Sequence, residues 1–177
     1  LKNSIFLNQI KNITGILNGT TNFILSEMEK NNLNFDQALR KATEKGYAEA
    51  NPINDIEGID SAYKIRLLAS LCYGVKINHN YSFFTGVNNL DKEDIKYSKK
   101  LGYRIKLISE TCLIGDKIFI STSPKLININ NPLAHVGGVL NAIKIKTDHL
   151  NSLFIEGEGA GGPPRSCAVP AAYSTSD

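Results

Sequence analysis

Apolar residues in this chain follow two rhythms, and the change between them divides it. From Phe35 to Lys45, Ala38, Leu39 and Ala42 recur at helical spacing, and Gly46 stands where a C-terminal glycine cap belongs. From Glu57 to Tyr73, Ile59, Ala62, Tyr63, Ile65, Leu67 and Leu68 predict a longer helix with a broad apolar face, stopped by Gly74. Ahead of both, a short apolar strand or turn from Ile13 leads into Asn18-Gly19-Thr20-Thr21. A helix then continues to about Lys30, with Asn18, Thr20 or Thr21 as its cap. Residues 1–12, with Ile5, Phe6, Leu7 and Ile10, read as the tail of an element already in progress.

The second half alternates. Phe83 to Val87 is strand-like, and Asp91 to Lys100 is a charged helix capped by Asp91. Tyr103 to Ser109 and Lys117 to Thr122 form a hairpin across Gly115-Asp116, with Lys125 to Ile129 as an extension. Pro132 to Val136 is a short helix opened by Asn131. Asn141 to Thr147 and Ser152 to Glu156 make a second hairpin. Helices followed by a mostly antiparallel or mixed sheet define an α+β fold.

Composition narrows the function. A length of 177 residues suits one domain, or one domain plus part of another, and 42% hydrophobic content is enough for a core. The net charge of +3 comes from dispersed lysines, which argues against nucleic acid. No apolar run is long enough to span a membrane, and no signal peptide is evident. Cys72, Cys112 and Cys167 are far apart and odd in number, so neither a disulfide framework nor a zinc site is expected, and a reducing, cytoplasmic setting is. Cys72 and Cys112 sit in apolar runs and read as core residues. His79, His135 and His149 lack metal-ligand spacing, so no metal site is predicted.

Candidate chemistry concentrates between Gly46 and Lys64. Glu49, Asp55, Glu57 and Asp60 surround Lys64, and Asp60 and Lys64 are one helical turn apart. A solvated surface pair is the competing reading. In a dry cleft, by contrast, a lysine beside carboxylates can exchange protons. Such a cluster suits a small zwitterion: acids for an ammonium and a hydroxyl, a lysine for a proton or a carboxylate. The α-helix after Asn18 also offers free backbone N–H groups, although a plain capped helix is the favoured reading of that pattern alone. Near the end, Gly157-Glu158-Gly159-Ala160-Gly161-Gly162 is either a tight turn or a place where backbone closely approaches a phosphate or flat ring.

The segment Gly15 to Leu25, the segment Gly46 to Lys64, and the glycine run Gly157 to Gly162 together resemble, in order and spacing, the catalytic domain of homoserine dehydrogenase. Leu101 to Leu107 and Pro132 to Val136 agree as well, so the resemblance spans about residues 10–164. It implies that fold, and interconversion of L-homoserine and L-aspartate semialdehyde with NAD or NADP. By the same resemblance, Lys64 is the catalytic lysine and Asp60 orients it while binding substrate. Gly19, Thr20, Tyr47, Glu49 and Asp55 would face substrate; Gly157, Gly159, Ala160, Gly161 and Glu49 would face the cofactor. A homodimer through the sheet, with the strands near 102–122 and 141–156 at the interface, is implied too. The hard chemistry would belong to the cofactor.

The family's nucleotide-binding domain, its second substrate lysine and the metal ligands attributed to some members lie upstream of the matching segment. Arg165 stands where the family usually has threonine, and Pro170 interrupts the helix expected next. The expectation is therefore a fragment: 1–12 a tail, 13–155 the catalytic and dimerisation domain, and 156–177 a return segment. Such a fragment would not turn over alone. The rival expectation is a binding or dimerisation module that uses the same pocket without redox chemistry.

Overall fold

The computed structural model describes residues 9–78, 83–148 and 152–159. Six strands form one sheet in the order β2-β4-β3-β1-β5-β6. They are β1 (Ile10–Ile16), β2 (Phe83–Phe84), β3 (Tyr103–Ile114), β4 (Lys117–Asn128), β5 (Leu140–Thr147) and β6 (Leu153–Glu158). Every pair is antiparallel except β2 with β4. The helices are α1 (Gly19–Asn31), α2 (Phe35–Glu44), a single turn α3 (Ile53–Ile56), α4 (Ile59–Tyr73) and α5 (Lys92–Lys100), with a 3-10 turn at Pro132–His135. This is the expected α+β architecture.

The apolar stretch before Asn18 is a complete strand, and it lies between β3 and β5. Its alternation explains why. Ile13 packs with Ile65 and Ala69 of α4, whereas Ile16 points the other way, onto Ile108, Leu133 and Val136. A third cluster joins Phe23, Ile24 and Met28 of α1 to Ala38 and Ala42 of α2 and to Ile95 and Leu107. Capping at Asp91, Gly46 and Gly74 behaves as the sequence implies: Asp91 completes a capping box, and both glycines take left-handed conformations at helix ends. Asn34, which reads from sequence as part of a turn, completes a second capping box.

Two expectations need correction. The strand predicted over Phe83 to Val87 contracts to two residues, because the chain then turns to meet α3: Val87 N donates to Ile56 O at 2.8 Å. The broad apolar face of α4 is in fact two faces. Ala62, Ile65 and Ala69 are buried on the sheet, while Tyr63, Leu67 and Leu71 stand exposed on the outside. An amphipathic helix buries one stripe, and a helix with apolar residues all round offers a second one to something else.

The loop that carries the acids rests on the sheet edge. A Cβ added to Gly86 would lie 2.1 Å from Ile56 O and 2.4 Å from the Glu57 Cα, so only glycine fits there. Opposite, Lys106 is buried, and its amine donates to Asn22 Oδ1 at 3.0 Å and Val136 O at 2.6 Å. Asn22 Nδ2 in turn donates to Val136 O and Leu140 O. These bonds tie α1, β3 and the 136–140 segment together. Burial drives the Lys106 pKa down to about 8, with Glu29 opposing and Arg104 reinforcing the shift.

Replacing Gly86 with alanine in the full-length chain is expected to cost about 1–3 kcal/mol through overpacking, measured by denaturant unfolding. A stability equal to wild type would show that the close approach is not real. Lys106 supplies a second check. Its native pKa of about 8 lies below its ordinary 10.5, so the native state binds fewer protons between those values. The penalty is full below about pH 8 and gone above 10.5. Wild type should gain up to about 3 kcal/mol relative to Lys106→Met across that window. Parallel stability curves for the two proteins would refute it.

Candidate active site

The site begins in the turn between β1 and α1. Asn18 is extended (φ −133°, ψ 113°) and only 4% exposed. Its Oδ1 accepts from Thr21 N at 2.8 Å, which caps α1. That commits the amide oxygen and leaves both Nδ2 hydrogens free to act as donors. They go to Asp55 Oδ1 at 2.7 Å and Asp60 Oδ2 at 3.0 Å. Gly58, left-handed at φ 80°, turns the chain between α3 and α4 and so delivers both acids to the same amide.

Lys64 follows Asp60 by one turn of α4, and its Nζ lies 2.7 Å from Asp60 Oδ2. The same Nζ donates to Leu17 O at 3.1 Å. Consecutive residues of the β1–α1 turn therefore hold the amine, through Leu17, and the acids, through Asn18. Asp60 also lies in the first turn of α4, where the helix dipole favours a carboxylate. Next in the chain, a Cβ on Gly19 would meet Val139 O at 2.7 Å. Thr20 Oγ1 donates to Tyr47 O at 2.7 Å, fastening α1 to the loop after α2.

Lys64 also lines a cleft of about 400 Å³. One wall is Leu17, Leu67 and Leu68; the other is Asn141 to Ile143 of β5 with Ile155 to Gly159. The cleft thus joins the lysine to the first two glycines of the glycine run. Gly157 has open space where a side chain would be, and Gly159 lies against Asn141, where a Cβ would come within 1.9 Å of Nδ2. Mostly apolar walls and bare backbone beside one amine suit a flat ring stacked next to a small polar molecule.

The structure brings together Asn18, Asp55, Asp60 and Lys64, and it brings Lys64 to Gly157 and Gly159. It does not bring Glu49 or Tyr47 into that cleft. Glu49 is exposed and lines a separate groove with Leu39, Arg40 and Pro52. Tyr47 packs edge-on against Phe23, 4.8 Å between ring centres. Ala160 and Gly161 lie outside the described residues, as do Arg165 and Pro170. The expectation of a dry cleft with several acids about the Lys64 amine is also corrected. The Lys64 side chain is 49% exposed, and among the described residues Asp60 is the one acid paired with its amine. The cause is the outer face of α4, which none of the described residues covers beside the lysine. Sequence reasoning found Asn18 only as a cap. The available signal was that asparagine, alone among good caps, keeps two donors after its oxygen is used.

Comparison with known proteins bears on the family and the fold. The family model for homoserine dehydrogenase matches residues 1–171, beyond both limits of the resemblance read from motifs. Homoserine dehydrogenase of Neisseria gonorrhoeae is 42% identical over 171 residues, covering 97% of this chain and 39% of its own length. The crystal structure of a homoserine dehydrogenase from Thiobacillus denitrificans superposes with a TM-score of 0.87 at 38% identity, over 90% of this chain and 37% of its own. A hyperthermophilic archaeal homoserine dehydrogenase mutant in complex with NADPH superposes with a TM-score of 0.73 at 29% identity, over 90% of this chain and 45% of its own. The chain spans less than half the length of these relatives, and within that span the family model, the sequence identity and the fold agree: it belongs to the homoserine dehydrogenase family.

Proposed function

We propose that this chain is the catalytic and dimerisation part of an NADP- or NAD-dependent homoserine dehydrogenase. The reaction is the interconversion of L-homoserine and L-aspartate semialdehyde, in cytoplasmic threonine, methionine and isoleucine biosynthesis. One observation carries this reading: the Lys64–Asp60 pair at 2.7 Å stands at a cleft whose far wall is Gly157 to Gly159. An exposed ion pair one helical turn apart contributes only about 0.3–0.5 kcal/mol.

A bound nicotinamide cofactor supplies or accepts the hydride. Lys64 takes the proton of the substrate hydroxyl oxygen during oxidation and returns one to the aldehyde oxygen during reduction. Asp60 holds that amine in place. Asp55 and Asp60 face the ammonium and hydroxyl groups of the substrate, with Gly19 and Thr20 at the adjoining helix start. Glu49 and Tyr47 reach substrate only if the 47–50 loop closes over it, and Glu49 would then also approach the cofactor. The bare backbone of Gly157 and Gly159 would lie beside the ring, and Ala160 and Gly161 are assigned to the cofactor by the resemblance. The exposed Phe119, on the face opposite Ile118 and Ile120, supports pairing of the sheet with a second copy.

In the full-length enzyme, Lys64→Ala is expected to lower kcat by about 10²–10⁴-fold, with a smaller change in homoserine binding. Steady-state kinetics with a separate binding titration measures both, and unchanged turnover would refute the assigned role. The 177 residues alone are expected to form no NADPH or NADH from homoserine. Absorbance at the reduced-nicotinamide band tests this, and turnover by the isolated chain would favour a self-sufficient cofactor site. Homoserine binding by a full-length protein that never transfers hydride would favour a non-redox module instead.

A further inference from the structure

We infer that Asn18 is a positioning residue, whose single amide sets the distance between Asp55 and Asp60 and thereby the place of Lys64 at the cleft. The inference rests on the homoserine dehydrogenase reading of the site. Capping α1 needs only an acceptor oxygen, which serine, threonine or aspartate supplies as well. None of these also supplies two donors. A serine hydroxyl has one proton and a shorter reach, and an aspartate would set a third carboxylate against the other two.

Asn18 spends all of its hydrogen-bonding capacity across three elements. Oδ1 holds Thr21 N of α1, and Nδ2 holds Asp55 of α3 and Asp60 of α4. Without the two donors, two carboxylates facing one point repel each other, and only Lys64 remains to hold Asp60. The amine would then follow the displaced acid, with Leu17 O as its other partner. Misplacing a reacting group by about 1 Å costs about 10²-fold in rate.

The test uses the full-length enzyme with Asn18→Ser, which keeps the cap, and Asn18→Asp, which keeps cap and shape but reverses the donors. Both are expected to lose about 10- to 100-fold in kcat/KM, in enzyme that remains folded at the assay temperature. In Asn18→Asp the acid limb of the kcat/KM profile should also move up by about one pH unit, because a third carboxylate disfavours ionisation of its neighbours. Wild-type kcat/KM and pH profile in either variant would overturn the inference. So would an activity loss that tracks a lowered unfolding midpoint with no change in pH profile. A wild-type enzyme that fails to oxidise homoserine would instead overturn the reading on which the inference stands.

Discussion

A buried amide holding two carboxylates is the constraint on which the candidate site depends. Hydrogen bonds to charged groups contribute about 1.5–3 kcal/mol each, several times the contribution of the neighbouring surface ion pair. The amide of Asn18 therefore decides where Asp55 and Asp60 stand, and the Lys64 pair follows from them. The amide itself is fixed because β1, which delivers it, runs between two other strands and is packed on both faces. Any change that shifts β1 lengthwise would move the amide, the Leu17 carbonyl and the start of α1 as one body.

The rest of the fold keeps α1 and the acid loop in register with that strand. On one side, Lys106 and Asn22 bind the 136–140 segment to α1, at the cost of burying an amine. On the other, Gly86 lets the chain after β2 pass directly under α3, so the turn carrying Asp55 rests on backbone rather than on mobile side chains. Such backbone contacts leave little slack. Both devices sacrifice some stability or freedom of sequence for position, a common feature of functional sites.

The outer face of α4 explains why the amine is half exposed. Tyr63, Leu67 and Leu71 present apolar surface beside Lys64, and Arg66 covers only the Tyr63 ring, 4.6 Å from its centre. Water reaches the lysine along this face. A helix that carries Asp60 and Lys64 on its flank and apolar residues on both sides is built to be sandwiched, and within the described residues only the sheet side is filled.

Local chemistry determined much of this protein from sequence alone. Helix ends followed from Gly46, Gly74 and Asp91, and the hairpin from the apolar runs on either side of Gly115-Asp116, because caps and turns depend on a few adjacent residues. The Asp60–Lys64 pair was legible for the same reason, since a helix fixes the spacing of residues one turn apart. Tertiary structure alone decided that β1 is internal to the sheet and that α4 has an uncovered face. It also decided that Glu49 lies away from the amine and that Asn18 joins two acids some forty residues further along the chain. Such contacts join segments far apart in sequence, and hydrophobic period carries no record of which distant residue a polar side chain will meet.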